Sequence, residues 1–309
     1  MDFYISWSHS DPIYQLYDRQ CSMLISPTSI TSVWQITRFP KMPYQLMIDS
    51  GGYSYVANQQ PPPTPRQVFQ RQIEILAKCD LPTTICTLDV PILGRTTTII
   101  ERSKAIDKTI ANAWELKLLM AEYSKKKELG KQKIYSIKPM AIVQGYDIIS
   151  LKYCARRLKE LGYTHFGIGS LAHLYVPNEI RKRVEAVQSI VGSHVHIFGV
   201  SGIETMKLLS EVGVTSVDST RPIKAAIYNE ILYSEPYQRF GIAGSKFSQA
   251  SSKFSQAKMV KELTIACPCP VCEGKVNNDL LKLGTRKHLL LRAIHNYYHL
   301  KKMISLWVE

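Results

Sequence analysis

Short, nearly continuous apolar runs alternate along this chain with segments whose apolar residues recur at helical spacing. The runs Met23–Ser26, Gln45–Ile48, Thr84–Leu88, Met140–Val143, His165–Ile168, His194–Phe198 and Thr215–Val217 read as strands. Continuous rather than alternating apolarity is expected of parallel strands covered on both faces. Thr64-Pro65-Arg66-Gln67 opens a helix, with Thr64 as N-cap, Pro65 at the first helical position and Gln67 completing a capping box. In the stretch 98–128, Ile106, Ile110, Ala113, Trp114 and Leu118 are expected on one face. Leu151, Ala155, Leu158 and Leu161 form another face closed by Gly162, and Ile180, Val184, Val187 and Val191 a third closed by Gly192. Glycine just past a helix end suits a positive φ there. A succession of β-then-α units predicts an α/β fold, a (β/α)8 TIM barrel, with a doubly wound sheet as the alternative.

In a barrel, chemistry sits at the C-terminal ends of the strands, and here those ends are polar. Asp49-Ser50-Gly51-Gly52-Tyr53 follows the run at 45–48, and Asp89 follows 84–88. Gln144-Gly145, Gly169-Ser170-Leu171 and Gly199-Val200-Ser201-Gly202 follow the next three, and Asp218-Ser219-Thr220-Arg221 the last. Three carboxylates, an amide and several glycines at one mouth would make an acid/base pocket with close backbone approach. Taken singly, each Asp serves equally well as the N-cap of the next helix, and Gly51-Gly52 as a tight turn.

Composition narrows the class. Of 309 residues, 45% are hydrophobic and 21% charged, which excludes disorder over most of the chain. No run approaches the roughly 18 apolar residues of a membrane helix, and Met1-Asp2-Phe3-Tyr4 does not open a secretory signal, so a cytoplasmic location is expected. The net charge is +14, and residues 245–309 carry half of it, with eleven Lys or Arg against four Asp or Glu. Such a surface favours a polyanion, most often nucleic acid. The charge step divides the chain into a barrel domain over 1–244 and a basic subdomain over 245–309, whose C-terminal helix is expected to pack on the barrel. The hexapeptide SKFSQA occurs twice, at 245–250 and 252–257. It reads as a loop, or as a basic-aromatic strip along a nucleic-acid backbone.

Cys267-Pro268-Cys269-Pro270-Val271-Cys272 places three cysteines within six residues. In a reducing compartment such a cluster reads as a metal site rather than as disulfides. Three thiolates and one further ligand suit tetrahedral zinc. The candidates for the fourth ligand are His288, His295 and His299, and His295 is favoured because its helix would return beside the knuckle.

The residues at the strand ends, with the C-x-C-x-x-C…His-Asn signature, resemble the tRNA-guanine transglycosylase superfamily. The resemblance runs from about residue 45 to the C-terminus. It implies a zinc-bearing barrel and a pentosyltransferase that replaces guanine in a nucleic acid with a 7-deazaguanine free base. It assigns Asp218 as nucleophile and Asp49 as general acid/base. Asp89, Gln144, Gly169, Ser170 and Tyr53 would surround the base, and Cys267, Cys269, Cys272 and His295 would hold structural zinc. The family often forms homodimers. A carboxylate nucleophile divides one hard displacement into two easier ones, and a base inside a duplex must leave the stack to react.

Two departures bear on the polymer. Tyr53-Ser54 stands where the tRNA enzymes have Phe-Gln, and Asp218 runs into Ser219-Thr220-Arg221-Pro222-Ile223-Lys224 rather than a longer basic stretch. In this the chain is most similar to the DNA-directed, DpdA-type branch of bacteria and phages, which inserts bases such as 7-cyano-7-deazaguanine. DNA is therefore the preferred partner and tRNA, in a queuosine-type modification, the alternative. Arg221 and Lys224 are expected on the phosphate backbone, unless Arg221 pairs with an active-site acid. A catalytically dead nucleic-acid-binding barrel and a two-carboxylate glycosidase are the competing readings. The first needs no acid trio, and the second gives no role to the cysteines or the charge.

Overall fold

Eight parallel strands close on themselves in chain order. They are β1 (Asp2–Trp7), β2 (Ser22–Ile25), β3 (Gln45–Ile48), β4 (Thr83–Cys86), β5 (Ile137–Val143), β6 (His165–Ile168), β7 (Val195–Ile197) and β8 (Ser216–Ser219). The seam is completed where Asp2 N–H donates to the Thr215 carbonyl at 2.8 Å. The computed structural model describes residues 1–29, 39, 41–79, 81–92, 98–128, 136–171, 174, 176–200, 202–243 and 257–307, with 126–128 described by backbone alone. The expected barrel is therefore observed, with one strand that the apolar pattern missed, β1. The first SKFSQA copy and most of the second lie outside the described residues.

Successive strand residues point to opposite faces. Tyr4, Leu24, Met47, Cys86, Met140, Ile142 and Phe198 meet in one cluster inside the barrel. The alternate positions, such as Ile5, Met23, Ile48 and Ile85, are fully buried as well, because helices cover the outer face. Between the strands run α1 (Gly52–Ala57), α2 (Pro65–Cys79), α3 (Ile99–Glu128), α4 (Ile148–Glu160), α5 (Pro177–Val191) and α6 (Ile203–Glu211). The capping box of α2 is present: Gln67 N–H donates to Thr64 Oγ1, and Thr64 N–H donates to Gln67 Oε1. Gly162 and Gly192 follow their helices at φ +80° and +92°.

On α3 the expected face is rotated. Ile106 and Ala113 are buried, but Trp114 and Leu118 are 50% and 53% exposed. Thr109 and Asn112 take the inward positions instead, because their side chains satisfy loop groups beneath them.

Residues Met1–His9 with Gln20–Asp218 form one compact unit, and Ser10–Arg19 with Ser219–Glu309 a second. The first contains the barrel strands and all three acids. The second contains α7 (Arg221–Ile227), β9 (Glu230–Ser234), β10 (Tyr237–Ile242), β11 (Lys258–Val260) and α8 (Arg286–Ser305). The sequence boundary after 244 assigns β9 and β10 to the barrel domain. In the structure they pair antiparallel with each other, and β11 pairs parallel with β10. In this unit α7 packs on α8 through Ile223, Ala226 and Ala293.

Candidate active site and metal centre

The strand ends deliver polar groups to one mouth. Asp89 lies three residues beyond β4, and α3 fixes its backbone on both sides. Asn112 Nδ2 donates to the Leu88 carbonyl at 3.0 Å, and Val90 N–H donates to Thr109 Oγ1 at 2.9 Å. The Asp89 carboxylate accepts from Ser50 Oγ at 3.0 Å and from Gln144 Nε2 at 2.5 Å. Burial nevertheless pushes its pKa up, against those two hydrogen bonds.

Asp49 follows β3 directly. Gln72 on α2 donates to the Asp49 carbonyl at 3.1 Å and to the Cys86 carbonyl at 2.9 Å, tying the ends of β3 and β4 together. Asp49 Oδ2 accepts from Gly51 N–H at 3.1 Å. Burial first, and the neighbouring Asp89 and Asp218 charges with it, raise the Asp49 pKa to about 7. A carboxyl group poised there can give and take a proton near neutrality. The Cys86 thiol lies beneath all three acids, and burial and their charge push its pKa well up, so it stays protonated.

Asp218 is the third residue of β8, inside the strand rather than after it. Its side chain is encircled by donors. Ser6 Oγ donates to Oδ2 at 2.6 Å, Gly199 N–H donates to Oδ1 at 2.9 Å, and His196 Nε2 lies 3.3 Å from Oδ1. The Asp218 carbonyl accepts from Val200 N–H at 3.1 Å.

Glycine is required where the backbone must come close. A Cβ on Gly52 would lie 2.7 Å from the Asp89 carbonyl oxygen, and one on Gly169 would lie 2.5 Å from Gln144 Nε2. Gln144 Oε1 and Ser170 Oγ are buried without a partner among the described residues. Gln144 Oε1 is thus an open hydrogen-bonding position beside Asp89, as a heterocycle with several edge groups needs. Tyr53, on α1, is 53% exposed at the lip.

The second unit holds a separate cluster. The ligand atoms of Cys267, Cys269, Cys272 and His295 lie within 4.8 Å of one another, and all four residues are buried. His295 Nδ1 is 3.3 Å from Cys269 Sγ, while its Nε2 lies 3.0 Å from the Leu232 carbonyl. A carbonyl can only accept, so Nε2 carries the hydrogen and Nδ1 presents its lone pair to the sulfurs. Burial keeps that ring neutral. Cys269 is pushed up to about 11 by the Cys267 sulfur and by burial. A cation among the sulfurs reverses that cost, so the donor set fits a metal ion. The other two candidate histidines are not among these four ligands, although the His299 ring lies 4.5 Å from that of His295. His288 Nδ1 meets Thr285 Oγ1 at 2.6 Å, and His299 Nδ1 accepts from Ser234 N–H at 3.1 Å.

The model of one family, described as queuine tRNA-ribosyltransferase, matches residues 23–306. The chain belongs to this family. No individual curated protein matches it. Members exchange guanine bases, and this chain is accordingly a guanine transglycosylase of the pentosyltransferase class.

For this transglycosylase, the structure brings Asp49, Asp89, Gln144, Gly169, Ser170 and Asp218 into one mouth, and the three cysteines and His295 into one cluster. Arg221 pairs with Glu230 rather than with an active-site acid. Its Nη2 is 2.9 Å from Glu230 Oε2, and Arg239 holds the other oxygen of the same buried carboxylate at 2.8 Å. Lys224 is exposed on α7. Sequence reading missed Ser6, Gln72, Thr109, Asn112 and His196, the residues that hold the acids in place. The only signal for the helical ones was a polar residue on a face that should be apolar.

Proposed function

We propose that this transglycosylase replaces guanine with a 7-deazaguanine base, such as 7-cyano-7-deazaguanine, in DNA through an ester of Asp218. The observation that carries the chemistry is the contrast between two acids at one mouth. Asp218 is held by donors on both oxygens, and Asp49 is poised to carry a proton near neutrality. An Asp218 oxygen attacks C1′ of the target nucleotide, and the bond from C1′ to the guanine nitrogen breaks. The electron pair leaves with guanine, which takes the Asp49 proton. The entering base then returns a ring proton to Asp49, its freed nitrogen attacks C1′, and Asp218 leaves as carboxylate. Asp89, Gln144 and Ser170 read the base edge, Gly169 gives it room, and Tyr53 lies against it from the lip.

The preference for DNA rests on the segment after the nucleophile. Ser219 and Thr220 lead directly into α7 at Arg221, leaving no long basic loop of the kind the tRNA enzymes use. Lys224 and the ion-paired Arg221 are the proposed backbone contacts. The family description favours tRNA as the second reading. We assign zinc to the cysteine cluster as a structural ion, since four protein donors leave no open position. The purified protein, 7-cyano-7-deazaguanine and either duplex DNA or bulk tRNA, followed by nucleoside mass spectrometry, tests the substrate. The deazaguanine nucleoside in DNA alone is expected. Its appearance in tRNA alone would favour the second reading.

A further inference from the structure

We infer that His196 is a positioning residue for Asp218, holding Oδ1 so that Oδ2 is the oxygen that attacks. The inference rests on the proposed role of Asp218 as nucleophile. His196 points into the barrel from the centre of β7 and is 1% exposed. Its Nε2 lies 3.3 Å from Asp218 Oδ1, and its Nδ1 lies 2.9 Å from Ser216 Oγ. Ser216 and Asp218 are two residues apart on β8, so both face inward and bracket the ring. A carboxylate only accepts, so Nε2 carries a hydrogen; the Ser216 hydroxyl rotates to suit Nδ1. The ring plane is fixed by edge contacts with Tyr4 and Phe198, at centroid distances of 5.8 and 4.5 Å.

The two Asp218 oxygens are therefore unequal. Oδ1 is held by a backbone N–H from Gly199 and a ring N–H from His196, neither of which can turn away. Oδ2 is held by the Ser6 hydroxyl, a rotor that can release it. When Oδ2 bonds to C1′, Oδ1 becomes the ester carbonyl and keeps both donors. When the ester breaks, the returning negative charge is shared with Oδ1 and meets the same donors without reorganisation. His196 thus acts through Asp218, on the formation and the breakdown of the ester alike.

A cavity of about 340 Å³ adjoins His196 toward the end of the barrel where the strands begin, so a substituted side chain has room there. Lys138, His165, His194 and Ser216 are among its lining residues, and none of the lining residues is acidic.

The test uses wild type, His196→Phe and His196→Gln. Glutamine places an amide N–H near the Nε2 position, whereas phenylalanine keeps the ring and loses the donor. Losing a hydrogen bond to a charged group predicts a kcat lower by about 10- to 100-fold for His196→Phe, with the KM for the free base changed less than about twofold. His196→Gln should recover most of the rate, and the unfolding temperatures of both variants should stay near wild type. A loss that glutamine does not rescue, or one that falls on KM, overturns the inference. Nitrogen-15 NMR of wild-type His196 gives a readout independent of exchange: a protonated Nε2 is expected, and a bare Nε2 overturns the inference. Absence of exchange by wild type on any polymer would count against the proposed function instead, leaving the NMR result to decide the placement of His196.

Discussion

Gln144 and Asp89 share one short contact, Nε2 to Oδ2 at 2.5 Å, and it leaves Gln144 Oε1 as a buried acceptor without a partner among the described residues. Orienting one end of the amide on a fixed carboxylate leaves the other end free for the proposed contact with the base. Asp89 in turn is fixed by Asn112 and Thr109 through its neighbours. Gln144→Ala should lower kcat/KM for the free base by about 10- to 100-fold, chiefly through KM, since a site built to pair a polar edge loses that discrimination when one partner goes. Steady-state rates at varied base concentration check this, and an unchanged KM would remove Gln144 from the base site.

Asp49 predicts a pH dependence. With its pKa raised to about 7, the acid form fades above neutrality. The rate of guanine release should therefore fall on the alkaline side of about 7. Asp49→Asn should abolish that limb and slow release by about 100- to 10,000-fold. Pre-steady-state release of labelled guanine across pH measures both.

The same shift bears on stability. The folded protein binds the Asp49 proton more tightly than the unfolded chain, whose carboxyl keeps its ordinary value of 3.8. The contribution is present in full below 3.8 and is lost as pH rises through about 7. Asp49→Asn should therefore raise the unfolding temperature relative to wild type at pH 8 but not at pH 3.5. Paired thermal melts at those two values test the sign.

The cysteine cluster predicts a metal-dependent fold of the second unit. Stripping the ion with a chelator, or replacing Cys269 with Ser, should lower the unfolding temperature and release zinc in proportion to protein. Metal analysis alongside calorimetry checks it, and an identical melt after complete removal would rule out a structural ion.

Much of the barrel was legible because parallel strands buried on both faces are written as unbroken apolar runs. β1 escaped because Asp2 and Ser6 interrupt its pattern. Ser6 is polar for a reason that appears only in three dimensions, where it meets Asp218 from 212 residues away. The expected apolar face of α3 failed for a related reason: Thr109 and Asn112 are turned inward to serve the loop that carries Asp89. The acids themselves were visible as a set at the strand ends. His196 was not, because its meaning depends on the register that places β7 beside β8, with His196 opposite Ser216, and a single strand does not encode its neighbour.

The central claim is that Asp218 becomes covalently attached to the sugar. Incubating the protein with a DNA substrate in the absence of an entering base, quenching, and sequencing the peptides by mass spectrometry tests it most directly. The account predicts a nucleotide adduct on the peptide containing Asp218, lost in Asp218→Asn and discharged when 7-cyano-7-deazaguanine is added. Base exchange that proceeds without an adduct, or with the adduct on Asp49 or Asp89, would contradict it.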